Sequence, residues 1–194
     1  MMMRRASLTF VMVAVMLVLS AGVAVAAVKF GTDGRDFILG TSDSDIFYGE
    51  GGGDALAGRG DDDILYGGDG DDFFMSGGSA TVEGNFEGRR IKQDGEDKLF
   101  GGDGDDCVFG GSEDDILYGG SGSDLIGLFC FEFISDTGND VMYGGGGNDD
   151  IVGVDFDAGP ERDIISCGGG RDEVYADRRD RVADDCERVF YPRG

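Results

Sequence analysis

The sequence has no histidine and no tryptophan, and among its 194 residues only two prolines and three lysines, Lys29, Lys92 and Lys98. Without histidine there is no classical triad and no zincin motif. A Gly-x-Ser-x-Gly elbow and a Gly-Lys-Ser/Thr phosphate loop are also missing. Basic residues are scarce, 16 against 40 acidic ones. This excludes nucleic acid and anionic membrane surfaces as partners, because both are bound through Lys and Arg. Carboxylate pairs such as Asp155 and Asp157 resemble a glycosidase pair in spacing. Among 40 acids, however, such pairs arise freely, and the chain reads as a non-enzyme.

Long apolar runs are confined to the start. Met1–Arg5 is basic, Leu8–Leu19 is apolar, and Ala24-Val25-Ala26 offers a small-x-small cleavage site. The run is shorter than the roughly 20 residues that span a bilayer. Residues 1–26 are therefore expected to be a secretory signal peptide and the protein to be secreted, with no membrane association after cleavage. Removing Arg4 and Arg5 leaves 14 basic against 40 acidic residues, a net charge of −26 on residues 27–194. Two carboxylates about 4 Å apart repel by roughly 4 kcal/mol at an effective dielectric of about 20. A compact state of this chain needs a cation to offset that repulsion. A disordered polyelectrolyte is the alternative, but the apolar residues that remain are regularly spaced.

The period is nine. Five units run without a gap from Gly31 to Met75, four from Lys92 to Gly127, two from Ser135 to Val152 and two from Ala158 to Tyr175. The sixth position is aspartate in all thirteen: Asp36, Asp45, Asp54, Asp63, Asp72, Asp97, Asp106, Asp115, Asp124, Asp140, Asp149, Asp163 and Asp172. The eighth is always apolar: Ile38, Phe47, Leu56, Leu65, Phe74, Leu99, Val108, Leu117, Ile126, Met142, Ile151, Ile165 and Val174.

Gly67-Gly-Asp-Gly-Asp-Asp72-Phe-Phe74-Met and Gly101-Gly-Asp-Gly-Asp-Asp106-Cys-Val108-Phe follow the pattern Gly-Gly-x-Gly-x-Asp-x-apolar-x. In this the chain resembles the RTX family of secreted bacterial proteins with hemolysin-type calcium-binding repeats. The chemistry suits the spelling. Glycines permit positive φ in a tight loop that exposes carbonyl oxygens, and calcium takes about six to eight hard oxygen ligands in tolerant geometry, unlike magnesium. The resemblance implies an all-β fold, a right-handed parallel β-roll with two nonapeptides per turn. It implies several calcium ions held between loops eighteen residues apart, with the thirteen aspartates as ligands. Asp36 would share an ion with Asp54, Asp45 with Asp63, Asp54 with Asp72, Asp97 with Asp115, and Asp106 with Asp124. Pairings across the interruptions are left open.

The roll is expected over 27–175, with insertions at 76–91, 128–134 and 153–157, and a C-terminal cap over 176–194. Poorer loops are expected where Thr41 and Asp43 or Glu113 replace glycine, and in the unit Ala158–Ser166, which reads Ala-Gly-Pro-Glu-Arg-Asp163 and whose Pro160 fixes φ and removes a donor. Four cysteines in an exported chain point to disulfides, and spacing alone leaves three connectivities open. The segment from Cys167 to Val189 looks like the closing segment of secreted RTX-like proteins, and that resemblance implies Cys167 with Cys186 and hence Cys107 with Cys130. Arg178, Arg179, Arg181 and Arg188 are expected to neutralise the last acidic rungs. Leu128–Ile134 is too apolar for one small core; it is expected to pack internally, or to serve a cell-surface or self-association partner. Two roles follow: a calcium-binding protein that folds when its ions bind, or a calcium-rigidified adhesin or cell-surface structural protein.

Overall fold

The computed structural model describes residues 26–75, 95–111, 113–128, 137–154 and 161–191. Sixteen strands follow in chain order: β1 (Val28–Thr32), β2 (Phe37–Leu39), β3 (Ile46–Gly51), β4 (Ala55–Ala57), β5 (Ile64–Asp69), β6 (Phe73–Met75), β7 (Lys98–Asp103), β8 (Cys107–Phe109), β9 (Ile116–Ser121), β10 (Leu125–Ile126), β11 (Val141–Gly147), β12 (Asp150–Gly153), β13 (Ile164–Gly170), β14 (Glu173–Ala176), β15 (Arg181–Val182) and β16 (Arg188–Phe190). Odd strands form one eight-stranded sheet and even strands another, each in chain order. All strand pairs are parallel. This is the parallel β-roll the repeat implies: one nonapeptide per strand and two per turn. No helix occurs among the described residues.

Side chains alternate across a strand, so position eight points between the sheets. Phe47, Leu65, Leu99, Val108, Leu117, Ile126, Met142, Ile151, Ile165 and Val174 are fully buried there. Position nine of the odd sheet faces outward and builds an aromatic column, Phe30, Tyr48, Tyr66, Phe100, Tyr118 and Tyr143, with successive ring centroids 4.6–5.1 Å apart.

The stack stays in register across the interruptions. Ile46 pairs with Ile64 at the regular spacing of eighteen, but Ile64 pairs with Lys98, a step longer by the 16 residues of 76–91. Ile116 pairs with Val141, longer by the seven of 128–134, and Val141 with Ile164, longer by the five of 153–157. Residues 1–25, 76–94 and 129–136 lie outside the described residues, and so do Cys130, Asp155, Asp157 and Pro160. The expectations for the signal segment, for most of Leu128–Ile134 and for the Cys107–Cys130 pair fall there.

The sheets extend beyond both ends of the nonapeptide array. At the start, Val28, Lys29 and Phe30 take positions seven to nine, opposite Ile46, Phe47 and Tyr48. Lys29 stands where every repeat has an apolar residue. Its ammonium lies 5.3 Å from the Phe47 ring centroid and donates to the Leu39 carbonyl, closing the core with a cation–π contact. At the other end β15 and β16 pair with β13 and β14 inside the expected cap. Val182 and Val189 pack on the core, Arg188 pairs with Glu173, and Cys167 is joined to Cys186.

Leu117→Ala is expected to destabilise the folded protein by about 2–5 kcal/mol, the range for truncating a fully buried leucine. Urea unfolding reads this, and a loss well under about 1 kcal/mol would show that position eight is loosely packed. Cys186→Ser opens a link across a sequence separation of 19 and is expected to cost about 3 kcal/mol by loop-closure entropy. An unchanged thermal midpoint would contradict that.

Candidate calcium-binding loops

Each turn has two loops, and each loop ends in a position-six residue just before its strand. Asp36, Asp54, Asp72, Asp106, Asp124, Asp149 and Asp172 precede even strands and line the first edge of the roll. Asp45, Asp63, Asp97, Asp115, Asp140 and Asp163 precede odd strands and line the second. Because the sheets are parallel and in register, every such aspartate lies directly over the one a full turn away.

The two are hydrogen-bonded. On the first edge the Asp36 amide donates to Asp54 Oδ1 at 2.8 Å, Asp54 to Asp72 at 2.7 Å, Asp72 to Asp106 at 2.8 Å, Asp106 to Asp124 at 2.9 Å, Asp124 to Asp149 at 3.0 Å and Asp149 to Asp172 at 2.9 Å. On the second edge Asp45 donates to Asp63 at 2.7 Å, Asp63 to Asp97 at 2.6 Å, Asp97 to Asp115 at 2.8 Å, Asp115 to Asp140 at 2.9 Å and Asp140 to Asp163 at 2.9 Å. All thirteen sequence-identified aspartates are thereby placed in two columns, and the rungs pair across the insertions.

Two further residues complete the columns. The Asp163 amide donates to Asp180 Oδ1 at 3.1 Å, and the Asp172 amide to Glu187 Oε2 at 2.9 Å. Their loops lack the glycine pattern, but Asp180-Arg-Val182 and Glu187-Arg-Val189 keep an acid two residues before an apolar residue. That spacing was the available signal. Gly153, expected inside an insertion, belongs to β12 instead, and a Cβ on it would lie 2.7 Å from Asp163 Oδ2. It holds position one of the loop ending in Asp163, so the extra residues enter after it.

The donor set fits a hard cation. Except for Asp36, the position-six aspartates are at most 3% exposed. One oxygen of each takes the amide bond, while Oδ2 of Asp54, Asp63, Asp72, Asp106, Asp124 and Asp149 is buried with no hydrogen-bond partner. A buried charged oxygen without a partner carries a desolvation cost that a bound cation offsets. Beside these oxygens the loop backbones are packed rung on rung. Gly68, Gly70, Gly102 and Gly104 have φ of +120°, +120°, +126° and +144°. A Cβ on any of them would collide with a carbonyl oxygen of the rung before. Among the described residues no three Asp, Glu or Cys side chains cluster as a ready ligand set. The Oδ2 atoms would therefore hold calcium together with loop carbonyls, a mixed oxygen set that this ion accepts.

Burial drives the carboxyl pKa values upward, to about 7 at Asp63 and Asp106 and about 6 at Asp72 and Asp124, with neighbouring carboxylates adding to the rise. Asp185, at the disulfide-closed end, is held low by bonds from the Ser166 hydroxyl and the Gly168 and Cys167 amides, which outweigh its desolvation. A carboxyl whose pKa rises on folding destabilises the fold above the folded pKa. That cost disappears on protonation, so stability grows as pH falls from the folded value toward the unfolded one. Calcium-stripped protein is therefore expected to gain strand signal by circular dichroism between pH 8 and about 5, while calcium affinity falls as protons compete. A strand signal that is flat or declining over that interval would be incompatible with these shifts.

No curated protein matches the chain. The family model for the RTX calcium-binding nonapeptide repeat matches four times, over residues 30–64, 48–80, 93–126 and 133–157. Those matches take in more than half of the chain and fall on the loops and strands described above, so the protein belongs to the RTX calcium-binding repeat family.

Proposed function

We propose that this is a secreted protein that binds several calcium ions between its stacked loops and folds into the roll as they bind. The observation that carries this reading is the set of buried Oδ2 atoms without partners, repeated rung after rung beside loop glycines such as Gly68, Gly70, Gly102 and Gly104 that admit no Cβ. An isolated nonapeptide buries little, so each turn depends on its neighbours. Between neighbouring turns the carboxylates repel until a cation intervenes. Metal binding and folding are then one equilibrium. The basic and apolar start of the chain supports export, where calcium is plentiful. Modules outside the cell commonly bind calcium at about 10⁻⁴ to 10⁻³ M. The role is structural, a calcium-dependent scaffold without catalysis.

Circular dichroism of residues 27–194 during a calcium titration tests this. At neutral pH the protein is expected to be largely unstructured in excess chelator and to gain strand cooperatively as calcium rises, whereas magnesium at equal concentration produces little change. A full strand spectrum in chelator at neutral pH would refute coupled folding.

A further inference from the structure

Strand β1 precedes the first nonapeptide, and the residue ahead of it, Ala27, stands at position six, a full turn before Asp45. At every later turn that position is acidic. Ala27 has no carboxylate, yet its backbone performs the same task. Its nitrogen donates to Asp45 Oδ1 at 2.7 Å, and its carbonyl accepts the Ile46 amide at 2.8 Å. Ala27 is half-buried, whereas Ala26 is exposed. The aspartate column of the second edge therefore begins at the residue that follows the small-x-small motif Ala24-Val25-Ala26.

In the uncut chain the Ala27 nitrogen is a neutral amide. Cleavage after Ala26 turns it into an α-ammonium, a cation at neutral pH. Asp45 suits such a partner. It is 1% exposed, and the next rung down, Asp63, is a second buried carboxylate, whose Oδ1 accepts the Asp45 amide at 2.7 Å. Asp45 Oδ1 also accepts from the Thr41 hydroxyl at 3.3 Å, and Oδ2 from the Thr41 amide at 2.6 Å. These donors are neutral, and a buried carboxylate with no opposite charge beside it is costly. The first rung of the other column differs. Asp36 is half-exposed, so water reaches it, and its Oδ2 accepts from the Thr32 amide and hydroxyl at 2.6 and 2.9 Å.

We propose that signal-peptide cleavage supplies a structural cation: the α-ammonium freed at Ala27 pairs with the buried Asp45 carboxylate and caps the second aspartate column, so that the cut chain is more stable than the precursor. This rests on the secretion reading above and gives its processing site a part in the fold. An acid at position 27 would add one more negative charge to a segment that already carries 40 acidic against 14 basic residues; alanine leaves the place to a positive one.

The test compares residues 27–194 beginning with a free Ala27 amine and the same protein carrying Gly-Ser-Gly-Ser ahead of Ala27. The extension keeps the Ala27 N–H as a donor and takes the charge away from it. Urea unfolding at one fixed calcium concentration gives the unfolding constant of each, and both are repeated with Asp45→Asn, which retains an Oδ1 acceptor. The extension is expected to raise the unfolding constant about fivefold, the difference between a charge-assisted and a neutral hydrogen bond. With Asp45→Asn the free and extended forms are expected to agree within about twofold. No effect of the extension, or an equal effect in both backgrounds, would overturn the ion pair. Should the Asp45→Asn proteins not fold, Nα-acetylation of the unextended protein decides the matter, since it keeps the N–H and cancels the charge. A loss matching that of the extension supports the pair, and an unchanged constant overturns it. The processing site is checked by the mass of the protein that an exporting bacterium releases from the full chain. A chain starting at Ala27 with a free amine supports the proposal, and a different or blocked first residue overturns it. Failure of export would remove the secretion reading as well, whereas export with another first residue would remove this inference alone.

Discussion

The bond from each position-six amide to the carboxylate one turn further on governs the molecule. It needs parallel strands in register, because only then does a loop lie directly over its equivalent a turn away. It also turns the carboxylate so that one oxygen is satisfied and the other is left facing the loop. Structural support and ligand supply therefore come from the same side chain. The apolar column at position eight holds the two sheets together, but leucine and isoleucine pack in many arrangements. The aspartate ladder selects the one in which successive turns coincide.

The ladder also explains why the fold tolerates so much irregularity. Insertions of three lengths are absorbed without a register shift, because register is set where Asp97, Asp140 and Asp163 meet their partners rather than by the length of chain between rungs. The ends are closed by chemistry foreign to the repeat. A lysine replaces the apolar core residue at one end, with its ammonium over Phe47. At the other, a disulfide ties Cys167, in the last glycine loop, to the closing segment. Both devices answer the same difficulty, that a solenoid otherwise exposes its core at each terminus.

Much of this was legible in the residues. Aspartate at six and an apolar residue at eight define loop and core in every unit, and they place Asp54 over Asp72 before any coordinates exist. The terminal turns were harder to see because they keep the physical roles and drop the letters. Lys29 sits where an apolar residue belongs, and Asp180 and Glu187 act without glycines around them. Gly153 was misplaced for a related reason. Counting back nine residues from Ser166 puts the start of the unit at Ala158, whereas a Cβ-free residue against Asp163 Oδ2 is what the packing requires.

The aromatic column on the odd sheet carries a consequence of its own. Six rings stand face to face along the outside of the roll, from Phe30 to Tyr143, and their planes are within about 10° of parallel, as in offset-stacked aromatic pairs generally. The four inner rings have both faces covered by their neighbours, so along most of the column solvent meets a row of ring edges and tyrosine hydroxyls. Such a row behaves as a stiffening rib: bending the roll away from that side would have to pull the rings apart one after another. The long axis of the molecule thus gains a resistance to flexing that owes nothing to the metal.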